Sequence, residues 1–136
     1  MIKANELRIG NRIYLELALP GLNIHEVHAQ DIADISNGRI TLASISPIQL
    51  TPDILEKCGF EKDSDYWEPF DGDAKGVRYI CGDMEVIFLK TTGRLHRMES
   101  ANGDEFGYFY GPELKSLHQL QNLYFALTGE ELEVKL

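Results

Sequence analysis

The segment from Val77 to Tyr110 constrains the fold more than any other. It holds four β-prone runs, at 77–81, 84–90, 94–100 and 105–110, separated by turn-forming residues. Gly82-Asp83 suits a two-residue II′ turn, Thr92-Gly93 suits another, and Ala101-Asn102-Gly103-Asp104 closes the third junction. Connections this short join neighbours that run antiparallel, so the segment reads as a β-meander. In the second run Met84, Val86 and Phe88 fall on one face and Ile87 and Leu89 on the other, which predicts a strand buried on both sides.

The flanking segments read less uniformly. Residues 12–17 form a β-branched and aromatic strand ended by Leu19-Pro20-Gly21. Residues 24–35 and 39–45 read as two more strands joined by Asn37-Gly38, a dipeptide suited to a type I′ hairpin turn. Together, after a short turn at Asn5-Glu6-Leu7-Arg8, they predict a small curled sheet or SH3-like half barrel. Thr51-Pro52 starts a short helix, with Thr51 as N-cap, Ile54, Leu55 and Cys58 facing the core, and Gly59 as the stop. Residues 61–76 read as a loop with at most a short strand at 65–69. Residues 114–128 read as a helix with Leu117, Leu120, Tyr124 and Leu127 on its apolar stripe and Leu123 beside them. Ser116, His118, Gln119, Gln121 and Asn122 cover its other side. The stripe is expected to pack on the meander, and Glu131–Leu136 to add an edge strand. The predicted class is α+β: a small β module at 1–50, then helix, acidic loop, meander and C-terminal helix at 51–136, together one compact unit.

Composition narrows the function classes. At 136 residues the chain has one domain's length and needs no disulfide or metal to bury a core. Its 13 Lys and Arg against 22 Asp and Glu leave a net charge of −9, which disfavours a general nucleic-acid binder. The charge is uneven: residues 51–75 carry 3 basic and 8 acidic side chains, whereas 76–100 carry 4 and 3. Arg78, Arg94 and Arg97 are the meander's only basic feature besides Lys90, and they read as solvent-facing or paired with Glu85 and Glu99. The N-terminus has no signal-peptide core, and the longest uncharged run, 40–52, is too short and polar to span a bilayer. Cys58 and Cys81 read as reduced, half-buried packing residues. These features point to the cytoplasm and to no membrane association.

The familiar chemical motifs fail one by one. Asp71-Gly72-Asp73-Ala74-Lys75-Gly76 begins like a calcium loop, but its fifth position is Lys75 and its twelfth is Gly82. His25 and His28 are three apart, and in a strand that spacing sends them to opposite faces. His96 and His118 have no Cys or His at ligand spacing, so ordinary histidines are expected throughout. There is no nucleophile elbow and no phosphate loop. No catalytic residue, cofactor or metal is therefore expected.

One feature stands out from this background. Tyr66-Trp67-Glu68-Pro69-Phe70 places three aromatic residues in an acidic stretch. Either one or two of them plug into the core, or Trp67 with Tyr66 or Phe70 forms an exposed patch that anchors a partner. In the later group Phe106, Tyr108, Phe109 and Tyr110, alternation sends 106, 108 and 110 to one face, expected to be core.

Three blocks carry a resemblance. They are Glu6-Leu7-Arg8-Ile9-Gly10-Asn11, Ser46–Thr51 with Ile54–Phe60, and Leu117-His118-Gln119-Leu120-Gln121-Asn122-Leu123-Tyr124-Phe125-Ala126-Leu127-Thr128-Gly129-Glu130-Glu131-Leu132. Together the chain resembles a family of small uncharacterised proteins of gut Bacteroidetes, often encoded in prophage-like or mobile elements. The resemblance implies a cytosolic accessory protein and no transferable catalytic residues. The leading expectation is a non-enzymatic interaction module with a protein partner or a second copy of itself. The alternatives are an acidic inhibitor or mimic acting on a nucleic-acid-binding protein, and an enzyme with an unrecognised site.

Overall fold

The computed structural model describes residues 2–16, 23–67, 75–89, 92–99, 105–108 and 113–136. The class is α+β. The chain divides into two compact units, one formed by Met1–Gln49, Ser116–Leu132 and Leu136, the other by Leu50–Lys115 and Glu133–Lys135.

The first unit is built on a three-stranded antiparallel sheet. Strand β1 (Arg12–Leu15) is central, with β2 (Asn23–Glu26) on one side and β3 (Ile45–Pro47) on the other. Between β2 and β3 the chain forms helix α1 (Ala29–Ser36) and a 3-10 turn at Leu42–Ser44. This corrects the expected strands at 24–35 and 39–45. Asn37-Gly38 is the end of α1 rather than a hairpin turn: Asn37 is right-handed, and Gly38 takes φ +75° while its N–H bonds the Ile35 carbonyl. The same dipeptide serves both purposes because each needs a residue that tolerates positive φ. Ile2, Ile13, Leu15, Val27 and Ile45 form the buried core, with Ile32 and Ile35 of α1 packed against it.

Helix α3 (Leu117–Thr128) belongs to this unit, not to the meander where its stripe was expected. Its buried face is Leu117, His118, Leu120 and Gln121, whereas Phe125 and Leu127 are exposed. The polar residues His118 and Gln121, expected on the outer side, thus lie inside. Gly129 ends the helix in the left-handed conformation, φ +74°, as its position required.

The second unit starts with α2 (Pro52–Lys57). Thr51 caps it, its Oγ1 accepting the Ile54 N–H at 3.2 Å, and Gly59 follows with φ +85°. The sheet runs β4 (Glu61–Trp67), β5 (Lys75–Cys81), β6 (Met84–Leu89), β7 (Thr92–Glu99), β8 (Glu105–Tyr108), all antiparallel, and a short β9 (Glu113–Leu114) also pairs with β7. The meander is as expected, with Gly82 at φ +57° in the Cys81–Met84 turn. Met84, Val86, Ile87 and Phe88 are all buried, so β6 is covered on both faces.

Three details differ. Thr92 and Gly93 pair with Leu89 and Phe88 inside the ladder, so they are strand rather than turn. Gly93 suits that place because a Cβ there would lie 3.1 Å from Val86 Cγ1. Residues 61–67 form a full strand, whose charged side chains had hidden its pairing with β5. Glu131–Leu136 adds no strand, although Leu132 is buried. Among the described residues, no helix is long and apolar enough to cross a membrane.

Candidate functional site

The chain reverses direction between β2 and α1, and that corner gathers a cluster absent from the sequence reading. His25 pairs with Ile13 across the sheet. Two residues on, Val27 is fully buried and pinned by two backbone bonds, from its N–H to the Asn11 carbonyl and from the Gly10 N–H to its own carbonyl, both 2.8 Å. His28 follows in extended conformation as the N-cap of α1. The corner therefore breaks the strand alternation that would have separated the two histidines. Their rings meet edge to face, centroids 5.9 Å apart and planes at 82°.

Asp31, in the first turn of α1, completes the group. One carboxylate oxygen, Oδ2, lies 2.8 Å from His25 Nε2 and accepts the His28 backbone N–H at 2.7 Å. One ligand atom from each of His25, His28 and Asp31 lies within 4.8 Å of the other two. Burial alone would raise the Asp31 carboxyl. The His28 N–H, the His25 hydrogen bond and the two imidazoles outweigh it and hold the group below its ordinary value. The donor set, two imidazole nitrogens and one carboxylate oxygen, suits zinc and its neighbours better than calcium or magnesium. His28-x-x-Asp31 ahead of Ile32 and Ile35 was the overlooked signal: an acidic residue in the first turn of an amphipathic helix.

A second polar cluster links two of the three sequence blocks. Gln121 is buried; its Oε1 accepts the Arg12 N–H at 2.8 Å, and its Nε2 donates to the Gly10 carbonyl at 3.0 Å. Asn122 donates to the Glu6 carbonyl at 2.8 Å and accepts from Asn11 Nδ2 at 2.9 Å. The Arg8 guanidinium lies 4.2 Å above the Phe125 ring, pairs with Glu131 and reaches Asn122 Oδ1 at 3.3 Å. The bonds at Glu6, Gly10 and Arg12 join backbone to side chain and those at Arg8 and Asn11 join side chains, and together they hold residues 6–12 against α3. His118 is buried beside it, 3.7 Å from Glu6. Burial lowers the proton affinity of its imidazole more than the Glu6 carboxylate raises it.

The remaining candidates are the two cysteines, the meander's Arg78 and the aromatic and acidic residues of 66–74. Cys58 and Cys81 are free thiols. Burial pushes Cys58 up to about 12 and also raises Cys81, so neither offers a thiolate at neutral pH. Arg78 pairs with Glu85 at 3.0 Å, as expected from the cross-strand charges. Tyr66 and Trp67 are the last two residues of β4, opposite Gly76 and Lys75. Phe70, the Asp71–Ala74 stretch and residues 109–110 lie outside the described residues. Comparison of the chain with protein-family models, with curated proteins and with solved structures found no match.

Proposed function

We propose that this chain is a non-enzymatic interaction module with a protein partner, in an accessory role within a phage or mobile element. The observation that carries the reading is the position of Tyr66 and Trp67 at the end of β4, the terminal strand of its sheet among the described residues. A terminal strand offers one row of backbone donors and acceptors, which an extended peptide can extend by pairing. Aromatic residues beside such an edge are those that interfaces favour. The acidic excess of residues 51–75 supports a basic segment as the partner. The three sequence blocks support the mobile-element setting.

The test starts by capturing a partner from host lysate, identifying it and purifying it. Its affinity is then measured for the wild-type chain and for Trp67→Ala, with folding checked by circular dichroism. A hot-spot aromatic predicts a loss of about thirtyfold, the equivalent of ~2 kcal/mol. Unchanged affinity in a folded variant refutes the role of this edge. Binding that nucleic acid competes away and that Trp67→Ala leaves unchanged would favour the acidic mimic, since a mimic occupies the partner's phosphate-binding surface.

A further inference from the structure

We propose that His25, His28 and Asp31 form a binding site for one zinc-class divalent cation, a site independent of the β4 edge. Three observations converge. The ligand atoms already lie within 4.8 Å of one another, and His25 Nε2 and Asp31 Oδ2 are 2.8 Å apart. Tetrahedral coordination with bonds of about 2.0–2.1 Å needs ligand separations of about 3.3 Å, which falls between the observed 2.8 Å and the 4.8 Å bound. Two imidazoles on one such ion would also have centroids about 5 Å apart, close to the observed 5.9 Å.

The third observation concerns residue choice. An N-cap is usually Ser, Thr, Asp or Asn, and histidine is not favoured there. Asp31 accepts the His28 N–H, and the His28 side chain faces the Asp31 backbone N–H in a capping-box arrangement, but Ser, Thr, Asp or Asn fills that role better, so capping alone gives no reason for an imidazole. Coordination supplies one. The positive end of α1 opposes a cation. The Asp31 carboxylate, which accepts the His28 N–H there, offsets that charge.

Three protein ligands leave a fourth position for water or for a group from a partner. In that geometry the ion would tie β2 to the start of α1, the two elements that supply its ligands.

The test uses the full chain, stripped with chelator and titrated with zinc by calorimetry and with cobalt(II) by visible absorption. The expected result is one ion per chain and an intense four-coordinate cobalt spectrum. Zinc should also raise the melting temperature, because a ligand bound only by the folded state stabilises it. His28→Ala, whose side chain is exposed, and His25→Gln should each weaken binding at least about tenfold and abolish the stabilisation. His118→Asn should leave binding unchanged. Absence of stoichiometric binding would overturn the proposal. So would binding that survives either histidine substitution in a chain shown by circular dichroism to be folded, since the ion would then be held elsewhere.

Discussion

Gln121→Met is the sharpest probe of how the first unit is held. The substitution keeps a long unbranched side chain at a position only 2% exposed, but removes its donor and its acceptor. Two backbone groups lose their partners: the Arg12 N–H, now 2.8 Å from Gln121 Oε1, and the Gly10 carbonyl, now 3.0 Å from Nε2. A buried backbone group without a partner costs about 1–3 kcal/mol. Gly10 and Arg12 are half-buried, so the lower part of that range applies, giving about 2–4 kcal/mol for the pair. For a chain whose folding free energy is on the order of 5–15 kcal/mol this is a large fraction. Urea unfolding followed by far-ultraviolet circular dichroism should show the midpoint fall by about 1–2 M, given slopes of about 1–3 kcal/mol/M. The control is Gln30→Met. Gln30 is exposed and bonds only Asp34 at 2.9 Å, so its loss should stay within about 0.5 kcal/mol. If Gln121→Met costs no more than this control, the amide is not holding residues 10–12 to α3.

Three further outcomes follow from the same structure. Gly129→Ala should destabilise by roughly 1–2 kcal/mol in thermal melts, because φ +74° strains any L side chain even though a Cβ there meets open space. His118 holds its proton less well folded than unfolded. Below the ordinary value of 6.5 the unfolded chain therefore takes up a proton that the folded chain refuses, and stability falls with falling pH. His118→Asn should flatten that fall between pH 7.5 and 5.5 in urea titrations; an unchanged slope refutes it (both pH values are about one unit either side of the free imidazole). With Cys58 at about 12, only ~10⁻⁴ of it is thiolate at pH 8, so native iodoacetamide labelling should reach Cys81 first. Equal labelling rates in the native state would contradict the burial.

What the sequence by itself determined is the part written in neighbouring residues. The β5–β6 hairpin follows from Gly82-Asp83 between two β-prone runs. Helix α2 follows from Thr51, Pro52 and Gly59, and the end of α3 from Gly129. Each depends on a few adjacent dihedral angles, so the information is local. Tertiary structure decided the rest. Ile24, Val27, Ile32 and Ile35 are too few and too closely spaced to separate a strand from a strand followed by a helix, and a short apolar run is ambiguous between the two periods. Burial of Val27 resolved it, turned the chain, and brought His25, His28 and Asp31 together. Likewise nothing in the amphipathic pattern of 117–128 says which sheet it covers. Gln121 and Asn122 decide it, because the backbone groups they satisfy, at Glu6, Gly10 and Arg12, lie more than a hundred residues away in the chain.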